Sequence, residues 1–334
     1  MQYLRQLVGI YFIFLPILPL NISWLSAQDA SNASSSRLSQ SLLQVRDRHA
    51  FSSPLYPIMD SVPDLAKKRK KVLAITLPSL YLATMGGLYV VWYKDSELTS
   101  FHFFNDNSEW KQIDKVGHFY SAYQFSRLSA EAFRWAKLPE KKALLWGTLS
   151  GIILMTPIEI LDGFSSEYGA SWGDFVANTT GSFFLFGQYL LWEEIRIHPK
   201  FSFFPSGLAS QRPELLGDGL AEEFIKDYNG QTYWLSVDVD KFLPESSAYP
   251  KWLSIAVGYG AQDMIYARDV ENRELAGRDA YRQYYLGLDF DLTAFKPRRK
   301  FWRVTLDLLN MIRLPGPTLE YNRQQGVRFH PFFF

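Results

Sequence analysis

Cysteine is missing from all 334 residues, and that single absence removes several kinds of chemistry at once. Disulfides, thiolate metal sites, a cysteine nucleophile and a lipid-modified N-terminal cysteine are all excluded. Net charge is nearly missing as well, with 35 Lys and Arg against 34 Asp and Glu. No global field therefore draws the chain to nucleic acid, and electrostatic partners have to be read locally. Histidine is sparse, at five. There is no HExxH pattern, phosphate loop or nucleophile elbow. What the chain has in quantity is apolar surface, 47% hydrophobic and 16% aromatic, which suits two modest domains with cores and argues against disorder.

The first 27 residues read as a secretory signal: Arg5, a long apolar run, then small residues leading to cleavage near Ala27. Leu25 is bulky for the minus-three position, so an uncleaved anchor is the alternative. Residues 28–66 form an irregular leader, Ser- and Asn-rich at first and then broken by Pro54, Pro57 and Pro63. Five cations, Lys67 to Lys71, then abut 22 residues without a charge, a length that suits a membrane-spanning helix.

Three further helices are predicted within residues 67–200. Residues 114–136 are amphipathic. Residues 141–162 carry Gly147 and Gly151, a small-xxx-small pair that permits close helix contact, with Pro157 just before Glu159. Residues 172–195 start after Ser171, a fitting N-cap, with Asp174 three residues on. The unit reads as a membrane-associated four-helix up-and-down bundle, and the chain as mainly α. Its charges separate by end. Residues 67–71, 134–142 and 196–200 make one end basic, and residues 106–114 and 159–174 make the other acidic. The positive-inside rule places the basic end in the cytoplasm, whereas a cleaved signal places Lys67 outside, so the two topology signals oppose each other.

Residues 201–334 read as a smaller α+β domain. Strands are predicted at 232–240, 252–261 and 284–292, and a helix at about 299–313. The charged stretch at 267–280 reads as turn, and a small antiparallel sheet is favoured over a closed barrel of eight or more strands.

Ionisable groups inside the apolar bundle carry the functional reading, because burying them costs free energy unless they are paired, hydrated or used. Asp114 with His118, Glu159 with Asp162, and Asp174 with Asn178 each share a helix face, and all three pairs fall at the acidic end. Lys115 is a nearby countercharge. His118, Glu159 and Asp174 offer the imidazole and oxygen ligands of a divalent metal or head-group site. His118, Glu159, Asp162 and Asp174 equally offer general acid and base groups. The plainer reading is a hydrogen-bonded cluster that fixes helix register, with Ser171 as a cap. No cofactor follows from the sequence. The partner expected is membrane lipid, with no nucleic acid and no protein partner specified.

The blocks DKVGHFYSAY at 114–123, Glu159 with Asp162, and SWGDFVANTTG at 171–181 resemble the YfiM-like family of unknown function, predicted periplasmic lipoproteins. They are more loosely similar to the VanZ-like membrane family. The likeness covers about residues 110–195 and marks Asp114, Lys115, His118, Glu159, Asp162, Asp174, Asn178 and Gly181 as motif positions. It implies an exported envelope setting and supplies no reaction. This chain departs from the lipoprotein pattern in having no cysteine. Two functions follow as expectations: a structural or scaffold protein of the envelope, or a membrane-embedded enzyme acting on a lipid-linked or phosphate-bearing substrate.

Overall fold

The computed structural model describes residues 63–93 and 96–334, so the expected signal segment and nearly all of the leader lie outside the described residues. The first helix, α1 (Pro63–Trp92), starts at the leader's last proline, where a fixed φ and a missing N–H are tolerated. It touches its neighbours at a few points along its length. Arg69 donates to the Trp135 carbonyl and stacks on the Trp135 ring, the Tyr81 hydroxyl donates to the Leu154 carbonyl, and Tyr93 reaches Asp162. Val72, Ile75, Leu82 and Val90 stay exposed. The tight unit therefore consists of the next three helices, with α1 laid alongside them.

Those three are α2 (Ile113–Trp135), α3 (Glu140–Phe164) and α4 (Trp172–Trp192). They approach closely because small residues meet where they cross. A Cβ on Gly147 would lie 2.5 Å from the Ala130 Cβ, and one on Gly151 would lie 2.1 Å from Ser126 Oγ and 2.4 Å from Ser182 Oγ. The core between them holds Tyr123, Leu144, Leu185 and Tyr189.

Six strands follow, β1 (Ile197–Phe203), β2 (Gln231–Val237), β3 (Leu253–Gln262), β4 (Tyr281–Phe290), β5 (Gly316–Asn322) and β6 (Gly326–Phe333), in one antiparallel sheet in chain order. The three predicted strands are β2, β3 and β4. Two short helices, α5 (Pro213–Leu216) and α6 (Leu220–Lys226), lie between β1 and β2. The charged stretch expected as turn instead forms α7 (Asp269–Ala276), ended by Gly277 at φ 64°. The predicted C-terminal helix is α8 (Lys300–Leu309).

Helices and sheet share a core rather than standing apart. Tyr120 of α2 packs against Phe201 and Phe203, with Tyr233 beside them, and its hydroxyl donates to the Met311 carbonyl. Ile113 packs on Ala261 of β3. Gln124 donates to the Pro199 carbonyl, and Arg127 makes a two-pronged ion pair with Asp307 of α8. Residues α2 needs for its register therefore come from 75 to 191 positions downstream.

Candidate functional site at the acidic end of the helices

The site begins with an unusual turn. Trp110, Lys111 and Gln112 take φ of 47°, 52° and 64°, so three consecutive residues with side chains sit in the left-handed region, at about 1–2 kcal/mol each. Contacts from β3, β4 and α7 hold them there. Tyr259 donates to the Lys111 carbonyl, Arg282 donates to Gln112 Oε1, and the Lys111 ammonium pairs with Asp269. The turn delivers Asp114 and Lys115 to the first turn of α2, beside the start of α4.

Lys115 sits at the centre. Its ammonium lies 2.5 Å from Asp106 Oδ2, 2.9 Å from Asp114 Oδ2 and 2.8 Å from Asp174 Oδ1, three carboxylates from three segments. His118, one turn along, has Nδ1 3.1 Å from Asn178 Oδ1 and 3.4 Å from Glu159 Oε1. Its Nε2 faces Asp114 Oδ1 at 3.7 Å and Asp174 Oδ1 at 3.8 Å. Ser171 caps α4 as expected: its Oγ accepts from the Asp174 N–H and donates to Asp106 Oδ1, while its own N–H donates to Glu159 Oε2. Gly181 allows the approach of α4 to α2, since a Cβ there would lie 2.1 Å from the Phe119 carbonyl oxygen. Tyr228, from the loop before β2, donates to Asp114 Oδ1.

Asp162 departs from the group. Its Oδ1 accepts from the Tyr93 hydroxyl, which ties the end of α3 to the end of α1. All other sequence-named residues, Asp114, Lys115, His118, Glu159, Ser171, Asp174, Asn178 and Gly181, converge.

Electrostatics follow from this crowding of carboxylates. Burial opposes charge on His118, but Asp114, Asp174 and Glu159 outweigh it and push the imidazole up to about 9. Burial and the neighbouring Asp114 carboxylate push Asp174 up to about 8, against the pull of His118 and Lys115. Asp114 goes the other way: burial would raise it, yet His118 and Lys115 hold it below the usual carboxylate range. Lys115 is raised, its carboxylates overcoming burial. The cluster thus stores protons near neutrality while keeping two internal cations.

Asp114, His118 and Asp174 present ligand atoms within 4.8 Å of one another, an imidazole and two carboxylate oxygens that suit a divalent metal. The Lys115 ammonium already occupies the point where the carboxylates converge. A metal there would have to displace it or sit on the His118 side.

Sequence reasoning missed Asp106 as a Lys115 partner, and Tyr228 and Tyr93 altogether. Asp106 stood in the acidic stretch, but only the left-handed turn folds it back over Lys115. Tyr228 is contributed by the sheet domain and carries no local spacing signal. A second cluster was also missed. His198, which has no useful spacing in the sequence, lies 2.9 Å from Asp238 Oδ2; Lys241 pairs with the same carboxylate, and Ser254 donates to its other oxygen. It borders a cavity of about 410 Å3 that is also lined by Gln124, Arg127, Glu131 and Asp307.

Residues 102–190, the segment that contains Asp106, Lys115, His118, Glu159 and Asp174, match the family described as "Predicted periplasmic lipoprotein (DUF2279)", a domain of unknown function. That description supports an exported, envelope setting. No curated protein and no solved structure matches the chain.

Proposed function

We propose that this is a non-catalytic, membrane-associated protein of the cell envelope, with a scaffold or maintenance role, and that the polar cluster is an ion lock. The lock fastens α2 to α4 and, through Tyr228 and the left-handed turn, both to the sheet. The observation that carries this reading is the Lys115 ammonium within 2.5–2.9 Å of three carboxyl groups, Asp106, Asp114 and Asp174. The positive charge those carboxylates require is supplied by the chain itself, as expected of a buried network built for specificity.

Membrane association is supported by Leu65–Val90 of α1 and by Glu140–Phe164, both long and apolar enough to cross a bilayer. The family's description implies a lipid anchor, and a chain without cysteine needs another; α1 is the candidate. The finer likenesses to YfiM-like and VanZ-like proteins belong to this reading.

A second reading has one observation in its favour: His118 Nε2 faces two carboxylate oxygens at 3.7 and 3.8 Å, distances a shared divalent metal would bridge. It makes the protein a metal-dependent enzyme acting on a lipid-linked or phosphate-bearing substrate, with Asp114, His118 and Asp174 as ligands and Glu159 beside them. Metal analysis of purified protein separates the two. The lock requires no stoichiometric divalent metal in either the parent or His118→Ala. One equivalent in the parent, lost in His118→Ala, overturns it.

A further inference from the structure

The two faces of the sheet have opposite character, and the polar face is the buried one. Ser202, Ser236, Ser254, Asp289, Thr318 and Glu320 point inward and are buried, around Trp234, Ala256 and Tyr285. On the other face Leu235, Val257, Leu286, Leu319 and Phe329 stand side by side across five strands. Each is 36–62% exposed. Ile255 opposite Leu288 extends the apolar row in one direction, and Tyr259, Tyr284 and Tyr321 extend it in the other. Arg282 lies beyond the tyrosines, bonded to the Tyr259 hydroxyl. A sheet half-exposed to water shows the reverse alternation, and apolar surface this continuous is rare on soluble monomers.

Several features fit one occupant. Strands β3 and β4 are 10 residues each, the length of membrane strands, and Tyr284 to Phe290 spans about 20 Å. Aromatic residues mark both ends of the band, the tyrosine row at one and Trp252 stacked on Phe290 at the other. Charge complements a phospholipid surface at the Phe290 end. There the chain runs into Lys296, Arg298, Arg299 and Lys300, and burial, together with the neighbouring cations Arg69, Arg303 and Lys137, depresses the Lys300 ammonium. The band is also continuous with an existing apolar interface, because α2 already covers it at Tyr233 and Ala261.

We propose that this face of the sheet lies against the acyl chains of an anionic phospholipid membrane, with the basic end of the molecule among its headgroups. The proposal rests on the membrane association argued above and is independent of the ion lock.

The absence of cysteine makes the test direct. Single cysteines replace Leu286 on the sheet face, Leu82 on α1 and Ser247 in an exposed loop, each bearing an environment-sensitive fluorophore, with circular dichroism confirming the parent fold. The full chain is reconstituted in phosphatidylethanolamine–phosphatidylglycerol vesicles carrying acyl-linked quenchers. Emission from the Leu286→Cys and Leu82→Cys labels is lost, and that from Ser247→Cys persists. Loss at Leu82→Cys alone overturns the proposal and leaves membrane association standing; loss at neither overturns both. A Leu286→Cys label that self-quenches with protein density while ignoring the lipid quencher overturns it in favour of a second copy. Replacing phosphatidylglycerol by phosphatidylcholine lowers vesicle uptake, and equal uptake overturns the placement of the basic end.

Discussion

At the scale of single residues, the cluster makes stability depend on pH in a direction that can be stated beforehand. His118 is held at about 9 when folded, against 6.5 for an ordinary imidazole, and Asp174 is raised to about 8. Both shifts are upward, so the folded state binds protons that the unfolded state has released. Their stabilisation is complete below the unfolded values and is lost as pH rises through the folded ones. Stability should therefore fall between pH 7 and 9, by up to about 1.4 kcal/mol per pH unit for each extra proton. Urea unfolding across that range checks this, and His118→Gln should flatten the slope. A stability that rises from pH 7 to 9 in the parent contradicts the charge assignment.

At the scale of elements, the helices are held at distances that only small residues allow. Gly151→Ala pushes a methyl group into Ser126 and Ser182, and Gly181→Ala pushes one into the backbone of Phe119. Each should cost about 1–3 kcal/mol through forced separation of the helices, read as a lower unfolding midpoint, whereas Gly187→Ala, with open space around it, should not. This much was legible beforehand. Gly147 and Gly151 announced a close crossing by their spacing, Ser171 announced a cap, and β2 to β4 announced themselves by alternation. The outer strands were less legible for physical reasons. Strand β1 alternates Ile197, Pro199, Phe201 and Phe203 with His198, Lys200 and Ser202, but a proline at its centre reads as a break rather than a strand, and its polar side is buried along with its apolar one. The last hairpin turns through Asn322, whose side-chain oxygen accepts from the Gln324 and Gln325 N–H groups, and Asn-Arg-Gln-Gln is not a common turn signature. The stretch that became α7 is so charged that its helical face was hidden by its turn-like composition.

At the scale of the whole molecule, α2 is coupled to the C-terminal half of the chain by an ion pair that no spacing rule foretells. Arg127 and Asp307, 180 positions apart, meet in a buried two-pronged pair. Arg127→Met or Asp307→Leu alone should cost about 3–5 kcal/mol by stranding a buried charge, and the double variant should recover much of that loss. Denaturant unfolding of the three variants measures the coupling, and strictly additive losses would contradict it. The same logic explains why the site was half-readable. Residues on α2, α3 and α4 share helical faces and could be placed at one end from sequence alone. Tyr228, Tyr259 and Arg282, which position that end, come from a sheet whose docking onto α2 has no local signature.

Lys115 is the cation around which the acidic groups of the site are assembled. The most direct measurement is urea unfolding of Lys115→Met, followed by tryptophan fluorescence with and without added zinc or magnesium. The variant should lose about 3–5 kcal/mol that neither ion restores. A variant as stable as the parent, or one returned to full stability by a divalent ion, would contradict it.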